Sequence, residues 1–229
     1  MPSQSQAWQC VAPANLARPK LEIAPAGAAR RSPIAGYTLA LSWSREYCRD
    51  RKRGDNADLQ CAGKIGEFGF ILHGLWPEGR GPKYPQYCRT AALLPPKLVA
   101  QNICMTPSVQ LQQHEWAKHG TCMVSRPETY FAASKLMFNA LQFPDMDRVS
   151  RQGEKAGSLT VAELTSAMSK INPGLPERAI RIKTGNRGWL KEMRICLNSK
   201  FRPVACPAYA DGARPKAQIK IWRGGDYSR

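Results

Sequence analysis

FGFILHGLWPEG, residues 68–79, carries the first of only three histidines in a chain of 229 residues. The run from Phe68 to His73 reads as an apolar β-strand. His73 falls at its C-terminal end, and Gly74 and Pro77 then turn the chain. Upstream, Tyr37 to Trp43 (YTLALSW) reads as a second strand entering the core. Between them, residues 44–62 are polar and basic, a solvated loop that closes if Cys48 pairs with Cys61. Residues 78–90 form a Gly/Pro/Tyr loop. Helices are predicted at 96–103 behind Pro95, at 111–121 ending on Gly120, and at 127–141. Thr160 and Glu163 form a capping box that opens a helix to about Lys170. Residues 178–184, 189–198, 201–206 and 217–223 are β-rich. The order predicts an α+β fold, a central mostly antiparallel sheet flanked by helices, in one domain over residues 36–229. Residues 1–35, rich in Ala, Pro and Arg, read as an extended arm, tied down at Cys10.

An apolar fraction of 43% and six tryptophans indicate a packed globular chain. No apolar run approaches the roughly 20 residues that cross a bilayer. The net charge is +17. Such a field draws in polyanions, of which nucleic acid is the commonest; a basic surface kept for solubility, or attraction to anionic lipid, is the alternative. Eight cysteines without a CxxC pair suggest four disulfides and an oxidising compartment, periplasmic or extracellular. Zinc-finger spacing is absent. The start MPSQSQAWQC lacks the apolar core of a signal peptide and is read as that of a mature form. No N-x-S/T sequon is present, which leans away from a glycosylated secretory protein.

The other two histidines stand in QQHEWAKHGTC, residues 112–122. On a helix, His114 and Lys118 are four apart, as are Glu115 and His119, so all four crowd one wide face while Trp116 and Ala117 turn to the core. Two histidines and a lysine together suit an anion, with Glu115 offsetting their repulsion. A Cys88–Cys122 bridge would staple the His73 loop to this helix, one pairing among 105 connectivities. Phosphodiester cleavage without metal fits the set: one histidine takes a proton from an internal nucleophile, another protonates the leaving oxygen, and cations hold the phosphoryl oxygens. RNA supplies that nucleophile in its 2′-hydroxyl. Taken singly, His73 reads as a structural histidine and Trp76 and Tyr84 as core or rim aromatics. HEWAKH spaces its histidines five apart, unlike the HExxH of metalloproteases. A binding module with a vestigial site would have lost one of these groups; a metal-dependent nuclease would need an acidic cluster near them.

FILHGLWPEG and HEWAKHGTC resemble the two active-site segments of the ribonuclease T2 family, in the family's order. LSW followed by Tyr-Cys, and Tyr-Pro-x-Tyr-Cys at 84–88, match as well. The resemblance runs from about residue 37 to the C-terminus and leaves the arm without a counterpart. It implies endonucleolytic cleavage of single-stranded RNA with low base specificity. The reaction passes through a 2′,3′-cyclic phosphate, hydrolysed more slowly to a 3′-phosphate, without metal or cofactor, in a monomer. It implies His119 as general base, His73 as general acid, His114 as phosphate ligand, and Glu115 and Lys118 as stabilisers of the transition state. Trp76 matches the aromatic that stacks on the base, Tyr84 a second aromatic of that pocket. Glu78 stands where some members have an Asp, its acceptor displaced by about one methylene. The resemblance further implies Cys48–Cys61, Cys88–Cys122 and Cys196–Cys206, leaving Cys10–Cys104.

Overall fold

The computed structural model describes residues 7–49, 59–155 and 159–224. Residues 1–6 of the arm and most of the basic loop, with Arg51 and Arg53, lie outside these. In chain order the elements are β1 (Ala7–Trp8), β2 (Gly36–Trp43), α1 (Ser44–Tyr47), β3 (Glu67–Phe68) and β4 (Phe70–Glu78). Then come α2 (Pro96–Asn102), α3 (Val109–Glu115), a π-helical turn (Trp116–Gly120), α4 (Thr121–Met123), α5 (Pro127–Asn139) and α6 (Met146–Lys155). The chain finishes with β5 (Leu159–Thr160), α7 (Val161–Ile171), a 3-10 turn (Glu177–Ala179), β6 (Ile180–Thr184), a second such turn (Asn186–Gly188), β7 (Leu190–Asn198) and β8 (Gln218–Ile219).

The central sheet has the order β4-β2-β7-β6, antiparallel throughout. β2 lies inside it and is buried along almost its whole length. Its inward residues Leu39, Leu41 and Trp43 join Leu72, Leu75, Met193, Ile195 and the buried faces of α5 and α7 in one core. Each large side chain so buried contributes about 1.5–3 kcal/mol. α7 opens with the predicted box: Thr160 Oγ1 accepts from Glu163 N, and the Glu163 carboxylate accepts from Thr160 N.

Four expectations are corrected. Gly74 and Pro77 do not turn the chain; β4 runs on to Glu78, because both residues keep their places in the ladder with β2. Gly120 does not cap a helix end. Its backbone is helical, and glycine is needed because a Cβ there would lie 2.4 Å from Trp116 Cε3 and 2.9 Å from Tyr130 Cγ. Residues 201–206 form no strand; a single bridge, Leu197 to Pro203, is all that Pro203 and the Cys196–Cys206 link permit. Residues 217–223 shrink to β8, which pairs with β5 outside the main sheet. α6 was not foreseen: MDRVSRQGEK is largely polar, and it anchors through buried Met146 and Ser150, four apart.

The disulfides are Cys10–Cys104, Cys48–Cys61, Cys88–Cys122 and Cys196–Cys206, with no cysteine left free. Cys10–Cys104 pins the arm. β1 pairs with β3, Arg30 pairs through its backbone with Gln86, and between them Lys20 and Glu22 meet Gln110 and His114 of α3. Among the described residues, no helix is long and apolar enough to cross a membrane.

Candidate active site

A cleft of about 810 Å³ opens on one face of the sheet. Its lining brings together His73, Trp76, Glu78, Tyr84, His114, Glu115, Lys118 and His119. Local geometry explains how. Ala40 pairs with Gly74 and Leu41 with Leu72, so His73 is the extra residue of a β-bulge. Strict alternation would put His73 and Trp76, three apart, on opposite faces. The bulge brings both, with Glu78, to the cleft side and lets Leu72 and Leu75 both enter the core. Facing it, Ser108 Oγ caps α3 by accepting from Leu111 N at 3.2 Å. The π-helical turn then carries Lys118 and His119 to the cleft while Trp116 and Ala117 enter the core.

His73 is held on both ring nitrogens. Nδ1 lies 2.8 Å from Glu192 Oε2 and 3.3 Å from Ser42 Oγ; Nε2 lies 3.5 Å from Glu115 Oε1. Burial alone would lower its pKa, but the Glu192 hydrogen bond and the charges of Glu115 and Glu192 outweigh burial and the opposing Arg194, leaving it raised. Glu192 shows the reciprocal balance: burial pushes its carboxyl up, and His73 together with Arg194 pulls it below the usual range. Arg194 Nε donates to Glu192 Oε1 at 2.5 Å, and its guanidinium covers the Trp76 ring at 4.9 Å.

His119 has the opposite setting. It is buried, 3% exposed, and its Nδ1 has no hydrogen-bond partner among the described residues. Burial first, then Lys118, His114 and His73, push its pKa well below the ordinary value. Trp76 touches both rings: it stacks on His119 at 5.4 Å and meets His73 edge-on at 5.2 Å. Its Nε1–H donates to Glu115 Oε2 at 2.7 Å. Glu115 is 2% exposed, and burial raises its carboxyl against the pull of His73, His114, the Trp76 bond and Lys118. Gly74 is the seat of that carboxylate; a Cβ there would fall 1.9 Å from Glu115 Oε2.

The Tyr84 ring lies 5.9 Å from that of His119, with the Arg30 guanidinium 5.1 Å from the Tyr84 centroid. Glu78 Oε1 accepts from Thr38 Oγ1 at 2.7 Å, and burial raises its carboxyl. His114 Nδ1 lies 2.9 Å from Glu22 Oε1, on the arm. Sequence reasoning missed Glu192, Arg194 and Glu22. The first two carried a signal: Glu192, Arg194 and Cys196 alternate with apolar Met193, Ile195 and Leu197 along β7, which marks a polar face inside a sheet. Glu22 carried none.

An antiparallel α+β fold stapled by four disulfides thus gathers three histidines, Glu115 and Lys118 in one cleft, and that combination of fold and site is the one found in a family of ribonucleases. The sequence model of the Ribonuclease T2 family matches residues 35–206, and the chain belongs to that family. It is 32% identical over 187 residues to a Haemophilus influenzae protein described as "Probable ribonuclease", across 77% of this chain and 62% of that one. This chain thus spans under two thirds of that relative's length. An Aeromonas hydrophila ribonuclease is 33% identical over 169 residues, 72% of each chain. Among solved structures, trichomaglin, an S-like ribonuclease, shares the fold with a TM-score of 0.61 at 18% identity, over 82% of this chain and 97% of that one.

Proposed function

We propose that this member of an endoribonuclease family cleaves single-stranded RNA without metal, by transesterification to a 2′,3′-cyclic phosphate and slower hydrolysis to a 3′-phosphate. One observation carries the assignment of roles: the two histidines that flank Trp76 are pushed in opposite directions. A base must be neutral and an acid protonated at the same pH, and environments that separate two pKa values assign them. His119 is the base that takes the 2′-hydroxyl proton. His73 is the acid that returns a proton to the 5′-oxygen. His114 and Lys118 bind the phosphoryl oxygens, and Glu115 with Lys118 steadies the developing charge. Tyr84, Trp76 and Glu78 form the base pocket. The pairing of all eight cysteines supports work in an oxidising compartment, periplasmic or extracellular.

RNA incubated with the protein in EDTA is the direct test. Cleavage to cyclic phosphate ends is expected, and DNA is expected to stay intact. Loss of activity on chelation, or equal cutting of DNA, would refute the proposal.

A further inference from the structure

The arm lies outside the segment matched by the family, which begins at residue 35. Within residues 1–35 it carries one acidic side chain, Glu22, among Arg18, Lys20, Arg30 and Arg31. That single carboxylate is turned inward. Its neighbours Leu21 and Ile23 are 51% and 77% exposed, whereas the Glu22 side chain is 21% exposed. The backbone on either side is fixed. Lys20 N donates to Gln110 Oε1 at 2.8 Å, and Gln110 Nε2 donates to Lys20 O at 3.2 Å, clamping the arm to α3. Farther on, Arg30 N donates to Gln86 O and Gln86 N to Arg30 O. Arg31 Nε and Nη2 both donate to Cys88 O.

Glu22 Oε1 meets two groups at once: His114 Nδ1 at 2.9 Å and the Tyr87 hydroxyl at 3.2 Å. Tyr87 is itself held to the catalytic turn, its N–H donating to Lys118 O at 2.8 Å. Burial, then the charge of Glu22 and its hydrogen bond, push the Tyr87 hydroxyl up to about 12, so the phenol stays a donor. The Tyr87 and His114 rings meet edge-on at 6.5 Å. A carboxylate can only accept from these partners. His114 must therefore present Nδ1–H to Glu22, and the hydrogen bond made by one imidazole nitrogen decides what the other offers.

We infer that Glu22 is a positioning residue for His114, supplied from the arm: by accepting from Nδ1–H it fixes the ring so that Nε2, carrying its own proton in the imidazolium, is the donor turned to a phosphoryl oxygen. The inference rests on the ribonuclease reading for the identity of that oxygen, but not for the pairing. The arm thereby completes a phosphate-binding group that the family segment carries on α3. An acidic residue can serve beside an anion-binding group because it contacts the far nitrogen, away from the ligand. Lys118, His119 and Glu115 face the same space from their own helix.

The test uses the full chain with Glu22→Ala and Glu22→Gln. Long-range 15N–1H spectra of the free protein at about pH 8.5 report the tautomer of each of its three histidines. Wild-type His114 is expected as the Nδ1–H form; Glu22→Ala should shift it to the Nε2–H form common in free imidazole. With poly(U) as substrate, Glu22→Ala should raise KM about tenfold and change kcat less than about twofold. Glu22→Gln, which keeps an acceptor oxygen, should restore most of both signatures. An unchanged His114 spectrum and KM in Glu22→Ala would overturn the inference. So would a lower KM, which would make Glu22 a competitor of the phosphate. The tautomer needs no turnover: an inactive protein with Nδ1–H His114 would overturn the ribonuclease reading and uphold the pairing.

Discussion

Glu192 Oε2 lies 2.8 Å from Nδ1 of His73, though 119 positions separate them in the chain. β2 stands between their strands: Ser42, opposite Glu192 in the β2–β7 ladder, also approaches Nδ1. Replacing Glu192 with Gln removes the negative partner that keeps His73 raised. The proton on His73 is then lost at lower pH, and the alkaline limb of kcat should move down. Loss of kcat at pH 7.5 should be about 10–100-fold, below the roughly 10²–10⁴ that the acid itself contributes, since His73 is kept and only its partner is lost. A pH–rate profile of the variant checks both; an unmoved limb would disconnect Glu192 from catalysis.

The wild-type profile should be a bell with its working range spanning pH 6.5. His119 is pushed below its ordinary value and is neutral there; His73 is pushed above and is charged there. Activity rises as pH climbs through the His119 pKa and falls as it passes that of His73. His119→Ala and His73→Ala should each cost about 10²–10⁴ in kcat, while His114→Ala should raise KM more than it lowers kcat. Steady-state kinetics on a homopolymeric RNA separates these outcomes.

Gly74→Ala should strike activity and stability together. The added methyl would sit on Glu115 Oε2 and 2.7 Å from Trp76 Nε1, and the buried Glu115 carboxylate can move only by giving up its hydrogen bond from Trp76. Overpacking of this kind costs about 1–3 kcal/mol. Urea unfolding and kcat measured on one preparation should both fall.

Trp76→Phe keeps an aromatic face but removes the donor to buried Glu115. If the ring served base stacking alone, only KM would respond. The geometry predicts a kcat loss of about tenfold or more, since an unpaired buried carboxylate oxygen costs about 1–3 kcal/mol and is free to reorient. A KM-only effect would disprove the second task.

Cys88 and Cys122, 34 positions apart, tie the Tyr84 loop to the helix carrying His119. Removing both by Cys→Ala should cost about 3–4 kcal/mol on the chain-entropy estimate. Unfolding in guanidinium measures it, and nucleotide affinity should weaken with the loosened loop.

The sequence by itself determined the histidines, Glu115, Lys118 and Trp76 of the cleft. Confining three histidines to FILHGLWPEG and HEWAKHGTC was enough to name these groups, since both segments are local and their side chains are close in the chain. The strands β2 and β7 and the helices α5 and α7 were legible for the same reason: hydrophobic period and caps are short-range signals. Tertiary structure alone decided the rest. His73 and Trp76 sit at odd separation on a strand and belong on opposite faces until the bulge opposite Ala40 and Leu41 brings both to the cleft. The polar partners come from far along the chain, Glu192 through sheet pairing and Glu22 through an arm tethered at Cys10–Cys104. The opposite settings of His73 and His119 are likewise tertiary, because burial and neighbouring charge, not residue type, separate two chemically identical imidazoles.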